Sequence, residues 1–296
     1  MNAITKRFAS LGFGLLLVAA AGSMGAGRAE GTEVRRVTER LIPFAPGGEL
    51  KIEDKNGRIT VEGWSRREVR IQVTRVVRAE DRTKAEELMK ELQADVEVHR
   101  DRIVIESRFP KRRESIRIWD ILGRKVASLQ INYYVQVPNE TDLLLQTSNG
   151  GVRASGVSGS LDATTTNGDM RVGDVNGVVK LATTNGEIEM TGAMNKASAR
   201  TTNGSIVAEI RKISSTGYVQ LETTNGNVEA YLPNDLRATV DAVTTNGRVS
   251  IAFPVTREGL MTSKAIRGTI QGGGAKLTLA TTNGNVEVRK LGERRP

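Results

Sequence analysis

The chain has 296 residues, a formal net charge of +9, 4% aromatic residues, one histidine and no cysteine. Without cysteine there is neither a disulfide framework nor a lipid-modified cysteine, and a single histidine leaves zinc without its usual ligands. No basic run is interleaved with stacking aromatic residues, so the composition argues against a nucleic-acid partner.

Residues 1–29 have the pattern of a secretory signal peptide. Lys6 and Arg7 precede an almost wholly apolar stretch from Leu11 to Ala21, and small residues follow. We therefore expect an exported protein that is periplasmic, at the cell surface or secreted, with no membrane span after signal removal. An uncleaved anchor is the alternative, although this apolar stretch is short for a spanning helix.

Residues 30–140 are predicted to be a β-rich first part. Ile52, Ile59 and Val61 are apolar at alternating positions around Asn56, which is followed by glycine, and Asp54 stands two residues before the Asn. This pattern predicts two strands joined by an Asn-Gly corner. We expect a β layer that begins near residue 32, is interrupted, and resumes near residue 128.

The interruption contains the one predicted helix, near residues 83–94. Thr83 and Glu86 have the spacing of a capping box, and Leu88, Met89 and Leu92 give an apolar face at helical spacing. Strands are expected around residues 96–98, 103–105 and 129–137. We expect the helix to cover one end of the β layer, because an uncovered sheet edge can pair with another chain.

The segment 108–128 is a basic insertion with one tryptophan. Such a segment suits contact with an anionic envelope surface or an acidic polymer. The alternative is a solvated loop whose apolar side chains pack on the core. The candidate contact residues are Lys111, Arg112, Arg113, Arg117 and Trp119.

Residues 141–296 contain a repeat, Thr-Thr-Asn-Gly, with spacings of 18, 18, 18, 22, 21 and 37 residues between successive Asn residues. Repetition at a nearly fixed period is typical of repeat architectures. The corner residues are Asn149, in the variant Thr-Ser-Asn-Gly, and Asn167, Asn185, Asn203, Asn225, Asn246 and Asn283.

The residues around each Asn alternate between apolar and polar. In every copy the residues six and four before the Asn, and three and five after it, are apolar. Each unit therefore reads as strand, corner, strand, with a weaker second turn signal such as Asn195-Lys196 between units. An antiparallel meander is the alternative, because Asn-Gly also favours hairpins. Repeated identity at the corner favours parallel stacking, since identical side chains then form ladders.

We therefore predict an all-β fold: a parallel β-helix, or β-solenoid, with coils of about 18 residues and one short helix in the N-terminal part. Residues 32–290 are interpreted as one continuous domain. The first Thr of each motif should point inward, and Gly supplies the backbone freedom of the corner. Residues 255–274 are either a loop or a coil that has lost its motif, and the glycines at 272–274 are a turn and not a phosphate cradle.

Two further expectations concern stability and chemistry. Asn185→Ala should cost more than Asn283→Ala, because Asn283 lies near the end of the chain. Asp162, Asp169, Glu187 and Glu189 are predicted to point outward, and paired acids can cleave glycosidic bonds. They alternate with basic residues as on an ordinary exposed sheet, so we expect no catalytic, cofactor-binding or metal site.

The repeated Thr-Thr-Asn-Gly, the opening Pro-Gly-Gly-Glu-Leu-Lys-Ile at residues 46–52 and the closing Gly-Gly-Gly-Ala-Lys-Leu at residues 272–277 resemble the bacterial family named "putative adhesin", of unknown function. The resemblance covers residues 34–290 without the basic insertion. It implies a right-handed β-helix at or beyond the cell envelope, and no reaction.

Three functions are compatible with these observations. The first is a non-enzymatic envelope or surface protein that binds an envelope polymer, an anionic surface or another protein. The second is a carbohydrate-active β-helix enzyme. The third is an envelope-stress or signalling accessory protein. We favour the first.

Overall fold

The computed structural model describes residues 32–110, 128–257 and 262–293, and within them the fold is all-β with one helix, as predicted. The predicted signal peptide, residues 1–29, lies outside the described residues. The helix is α1 (Arg82–Glu91). The strands are β1 (Thr32–Pro43), β2 (Glu49–Glu53), β3 (Ile59–Trp64), β4 (Glu68–Ala79), β5 (Gln93–Val98), β6 (Arg102–Arg108), β7 (Ser128–Pro138), β8 (Asp142–Gln146), β9 (Val152–Ser155), β10 (Leu161–Thr164), β11 (Met170–Gly173), β12 (Gly177–Ala182), β13 (Ile188–Asn203), β14 (Ile206–Lys212), β15 (Tyr218–Asn225), β16 (Val228–Leu232), β17 (Ala238–Asn246), β18 (Val249–Ile251), β19 (Val255–Arg257), β20 (Ala265–Ile270), β21 (Ala275–Asn283) and β22 (Val286–Lys290).

The strands form two stacks, one on each side of the Asn-Gly corners. The leading stack, which contains the strands before the corners, has the order β5–β6–β2–β8–β10–β12–β13–β15–β21–β17–β20–β19. The trailing stack, which contains the strands after the corners, has the order β1–β4–β7–β3–β9–β11–β13–β14–β16–β22–β18. Strand β13 contributes to both stacks, so the second turn predicted at Asn195-Lys196 is not a break in the strand.

Strands of successive repeats pair in parallel. In the leading stack Leu161 pairs with Leu143 and with Val179, each 18 residues away. In the trailing stack Met170 pairs in the same way with residues 152 and 188. The antiparallel meander is therefore wrong for the repeats, because identical corner residues lie on neighbouring strands and not two strands apart.

The core is the space between the two stacks. The apolar positions at fixed distances from each Asn are buried in every repeat, with one exception. Ile251 is only partly buried because it lies in β18, the last strand of its stack. Burial of one Leu or Ile side chain stabilises a fold by about 1.5–3 kcal/mol, so the repeated inward positions supply the main stabilisation.

The order of the last repeats in space differs from their order in the sequence. Strand β21 lies between β15 and β17, and β22 lies between β16 and β18. The coil that carries Asn283 is therefore internal, and the coil that carries Asn246 is the last of the parallel coils. The expectation that Asn283 lies near the end of the stack was wrong, because the chain places β17 one position beyond β15 and returns to fill the gap.

The first half extends the same two stacks. Strand β6 pairs in parallel with β2, and β7 pairs in parallel with β3, so these two strands form a further coil before the one that carries Asn56. In the sequence, the segment 108–128 lies between β6 and β7, at the position where the other coils have an Asn-Gly corner. Beyond it, β4 and β1 add antiparallel strands to the trailing stack, and β5 adds one to the leading stack.

Helix α1 connects β4 to β5 at this end of the molecule and contacts β1 and β4. Its buried residues are Ala85 and Met89, and Leu92 follows them into the core. The capping-box prediction was wrong, because the N-cap is Asp81, whose Oδ1 accepts the Lys84 backbone N–H at 2.7 Å. The Asp81 carbonyl oxygen also accepts the Ala85 backbone N–H at 3.1 Å, the first hydrogen bond of the helix, so the helix begins at residue 82.

The described residues of the segment 255–274 form neither a plain loop nor a parallel coil. Strands β19 and β20 make an antiparallel pair, and β20 pairs antiparallel with β17, which extends the leading stack at its far end. The glycines that follow carry the chain across the start of β17 to reach β21. Gly272 and Gly273 have φ of +80° and +86°, and a Cβ on Gly274 would lie 2.5 Å from the Arg237 carbonyl oxygen.

Candidate binding surface

The corner Asn side chains form one continuous ladder along the molecule. Each Nδ2 before the last donates to the Oδ1 of the next Asn, at 2.7–2.9 Å, in the order Asn246, Asn283, Asn225, Asn203, Asn185, Asn167, Asn149. Each internal amide keeps one N–H and one lone pair for solvent or a ligand, because an amide has two of each.

The first Thr of each motif is buried beside the ladder, as predicted from its position in the alternation. Except at Thr147, its hydroxyl donates to the carbonyl oxygen of the corner Gly in the neighbouring coil, for example from Thr183 to Gly168 at 3.2 Å and from Thr281 to Gly226 at 2.8 Å. Corner Gly residues are required because the coils approach closely here. A Cβ on Gly186 would lie 2.1 Å from the Gly168 carbonyl oxygen.

The second position of each motif forms an exposed row of hydroxyls beside the Asn ladder. Neighbouring strands in a sheet are about 4.8 Å apart, so the row presents donors and acceptors at a regular spacing and without charge. Its members, in spatial order, are Ser148, Thr166, Thr184, Thr202, Thr224, Thr282 and Thr245.

A groove of about 480 Å³ opens on the trailing stack near the start of this row. This volume is within the range of roughly 300–1,000 Å³ that is usual for ligand sites. Strands β4, β7 and β3 contribute outward side chains, and the floor at the corner is open because glycines 57, 150 and 151 have none. The side chains that line it are Arg58, Thr60, Thr74, Gln130, Asn132 and Tyr134, with Asn149 at the end of the ladder.

Some groove side chains are held by the protein and others are available. The Asn132 Oδ1 accepts the Arg58 backbone N–H at 2.9 Å, and the Tyr134 hydroxyl donates to Glu62 at 2.5 Å, which raises the pKa of Tyr134. Within the described residues no side-chain hydrogen bond engages Thr60 or Gln130. The groove therefore offers hydroxyl, amide and aromatic groups together, the set that suits a polyhydroxyl ligand.

A buried polar cluster lies in the core next to the groove strands. Asp54 replaces the first Thr of the motif, and its Oδ1 accepts the Ser107 hydroxyl at 2.5 Å. The Ser107 oxygen lies 2.7 Å from the Tyr133 hydroxyl. Burial raises the pKa of Asp54, although the Ser107 hydrogen bond opposes that shift, and burial also raises the pKa of Tyr133. Thr147, which follows β8 in the neighbouring coil, has no hydrogen-bond partner for its hydroxyl.

Sequence reasoning identified the unusual Asp54 but not its partners. Ser107 and Tyr133 lie in a coil that is interrupted by the insertion and lacks the motif. Their apolar neighbours alternate like any strand, and nothing in the local sequence marks an inward hydroxyl as a partner of a distant carboxyl group.

The predicted contact residues Lys111, Arg112, Arg113, Arg117 and Trp119 lie outside the described residues. The chain enters their segment after Pro110 and leaves it at Ser128 in β7, two residues before Gln130 of the groove.

The candidate acids of a carbohydrate-active enzyme lie on both sides of the corner, and Asp169 and Glu187 are neighbours in successive coils, where the Asp169 Oδ1 accepts the Glu187 backbone N–H at 3.1 Å. Asp162 lies in the leading stack, where Lys180 approaches it at 3.1 Å. Asp169 and Glu189 lie on the other side of the corner, and Arg171 lies 3.8 Å and 3.7 Å from them. In the part of the chain that the structure describes, no group of three or more potential ligands from His, Cys, Asp and Glu is placed to hold a metal ion. His99 is an exposed residue near Glu97.

The described residues contain no helix long and apolar enough to cross a bilayer. No curated protein matches this chain. Among solved structures, the chain is similar to a putative cell adhesion protein from Clostridium sporogenes ATCC 15579, with 11% identity, a TM-score of 0.39, and coverage of 86% of this chain and 99% of that one. It is also similar to a putative adhesin from Bacteroides fragilis NCTC 9343, with 10% identity, a TM-score of 0.31, and coverage of 86% and 97%.

A third solved structure, a putative lipid binding protein from Parabacteroides distasonis ATCC 8503, matches with 11% identity, a TM-score of 0.24, and coverage of 85% of this chain and 96% of that one. Residues 48–289 match the family described as Toastrack DUF4097, and this chain therefore belongs to that family.

Proposed function

We propose that this chain is a non-enzymatic, exported protein of the cell envelope or surface that binds the sugar units of an envelope polymer. The observation that carries the proposal is the groove on β4, β7 and β3, which continues into the row of hydroxyls and Asn amides. Both surfaces combine donors and acceptors with little charge, and together they give a polymer one binding site and a regular track beside it.

The groove chemistry favours a sugar over other small ligands. Sugar hydroxyls donate and accept hydrogen bonds, and Thr60, Thr74 and Gln130 can do both. Glu62, a carboxylate beside the groove, is already engaged by Tyr134. Arg58 is exposed at the groove and provides attraction to an acidic unit of the polymer.

We further propose that the basic insertion adds electrostatic attraction at this site. Lys111, Arg112, Arg113, Arg117 and Trp119 belong to a segment whose following strand supplies Gln130 to the groove. An anionic polymer or surface would be attracted to such a segment, and this attraction would weaken as salt is added.

The finer architecture also belongs to this proposal. We regard the fold as a right-handed parallel β-solenoid with 18-residue coils in its central part. Parallel pairs in register with partners 18 residues away support the coil length. The general preference of parallel strand connections for a right-handed path supports the handedness.

The first experiment compares two glutamines on the same face of β7. The full chain is tested on a glycan array and then by co-sedimentation with insoluble purified peptidoglycan. Gln130→Ala removes a groove amide and should weaken glycan binding about 3- to 10-fold, the effect of losing about 1 kcal/mol. Gln136→Ala, outside the groove, should leave binding unchanged.

Three outcomes would contradict the proposal. Absence of binding by the unaltered chain to any glycan would exclude a sugar polymer as the ligand. Equal effects of the two substitutions would exclude the groove as the site. Release of soluble saccharide from the polymer would favour the carbohydrate-active enzyme.

A second experiment addresses the insertion alone. Replacing Lys111, Arg112 and Arg113 together with Gln should weaken retention on an anionic polymer at low salt and have little effect at high salt. Retention that survives this replacement at low salt would exclude a role for the basic segment.

A further inference from the structure

The last coil of the chain fills a slot between two earlier coils. The slot is bounded by β15 and β16 on one side and by β17 and β18 on the other. The closing coil, residues 275–290, comprises β21 and β22 and occupies it. Strands β16 and β17 are joined by only the short connection at residues 233–237. Both borders of the slot therefore precede, in the sequence, the coil that fills it.

We infer that the slot is an interaction surface for a second copy of this chain, whose closing coil can fill it in place of the chain's own. The slot defines the partner that fits. It must supply one strand to each stack, each able to pair in parallel with both borders, with apolar residues at the fixed inward positions and a Thr-Thr-Asn-Gly corner between the strands. A second copy of the chain carries that segment unchanged.

The contacts across both borders of the slot are continuous. Leu279 pairs with Leu221 on one side and Ala242 on the other, and is fully buried. At the corner, Asn283 donates to Asn225 at 2.7 Å and accepts from Asn246 at 2.8 Å. Without the closing coil these strand edges and the core between them would be uncovered, and open strand edges accept an added strand.

The connection that precedes the closing coil suits exchange between copies. It runs from β20, on the far side of β17, across the start of β17 into β21. Gln271 and the next two glycines have positive φ, and few atoms surround Gly272 and Gly273. A glycine-rich hinge can extend with little steric cost, which would release the closing coil while the two borders of the slot stay joined through β16 and β17.

Exchange leaves the contacts of the slot unchanged. The protein concentration therefore decides whether the closed single chain or the pair with exchanged closing coils forms. A short linker gives its own segment an effective concentration on the order of millimolar, which favours the closed single chain in dilute solution. Exchange becomes competitive when chains refold together at high concentration, as is general for swapped elements. The same geometry would join two molecules, each with its groove and hydroxyl row.

The absence of cysteine in the natural sequence makes a disulfide test direct. Thr224 and Thr282 are exposed neighbours on β15 and β21, one on each side of a slot border. Cα atoms on adjacent strands are within disulfide range. One full-length chain carries Thr224→Cys and another carries Thr282→Cys, and the two are unfolded, mixed, refolded at high concentration and oxidised.

A covalent heterodimer of the two chains is expected, because its disulfide forms when the closing coil of one chain lies in the slot of the other. The matched control mixes chains that carry Thr184→Cys and Thr202→Cys, exposed neighbours in coils that follow each other without a slot. A heterodimer yield no greater than in this control would overturn the inference.

A single chain with both Thr224→Cys and Thr245→Cys provides the second test. These positions are separated by the closing coil in the structure, so no rapid internal disulfide is expected. Rapid formation of that disulfide would mean that β17 stacks directly on β15 and that the slot does not exist in solution, which would also overturn the inference. Circular dichroism and thermal unfolding of each reduced variant verify that it folds.

Discussion

The middle of the stack differs from its two ends in the order of its coils and in the residues at its corners. Between Asn149 and Asn203 the coils follow one another in chain order, and each corner carries the inward Thr and the Asn-Gly pair. At one end Asp54 replaces the inward Thr and a basic insertion replaces a corner, and at the other end the last two coils exchange places. From Asn167 onward every corner has the full Thr-Thr-Asn-Gly motif, and the departures from it lie toward the end that carries Asn56.

The difference follows from the ladders. A corner Asn in the middle bonds to the coil on each side, so a different residue there disturbs three coils. At an end a residue has fewer neighbouring coils, and the stability of a stacked protein is approximately a sum of nearest-neighbour terms. The ends are therefore where new side chains and new topology can be introduced with the least loss of stability.

The largest expected effect compares two glycines. Gly186→Ala should lower the free energy of unfolding by about 2–5 kcal/mol, because its φ is +157° and the new Cβ would lie 2.1 Å from the Gly168 oxygen. Gly292→Ala, beyond the last strand, also has a positive φ, +90°, but meets no atom within 4 Å and should cost about 1 kcal/mol. Urea unfolding measures both losses of stability. Equal losses would show that the close approach of coils at the corner does not determine the cost of adding a Cβ.

An intermediate effect concerns three ladder residues. Asn185 and Asn283 each make two ladder bonds, whereas Asn246 makes one. Replacement by Ala should cost about 1–2 kcal/mol at the first two positions and about 0.5–1 kcal/mol at Asn246. Thermal unfolding should give this ranking. A smaller cost at Asn283 than at Asn246 would instead support stacking in chain order, and equal costs at all three would argue for independent hairpins.

The smallest effect is a pH dependence at the other end. Because burial raises the pKa of Asp54, the folded protein binds a proton more tightly there than the unfolded chain does. Stability from the protonated group is present at low pH and is lost as pH rises from about 3.8, the ordinary value, through the raised pKa. Ser107 and Tyr133 face the carboxyl group, and neither carries charge in that range.

Asp54→Asn removes this titration and keeps an oxygen for Ser107 to donate to. The urea midpoint of the variant should exceed that of the natural protein near neutral pH, and the difference should shrink as pH falls toward 3.8. Because all other carboxyl groups are common to the two proteins, a difference that does not change with pH would show that Asp54 is not responsible.

Part of the candidate site could be predicted from sequence and part could not. The corner Asn row and the inward Thr follow from local alternation, which puts every second side chain on one face. The groove could not be predicted, because Thr74 and Gln130 come from two strands and Gly150 from a corner that only the stacking places together. The partners of Asp54 were missed for the same reason.

The sequence by itself determined which residues face inward, where the corners lie and that the strands repeat, because these properties depend on a few neighbouring residues. Only the tertiary structure decided which coil lies beside which. The motif around Asn246 and the motif around Asn283 share the same four residues, so either could stack on the coil of Asn225 by local pattern alone. Their order depends on how the connections at residues 233–237 and 271–274 close, and such long-range closure leaves no periodic signal in the chain.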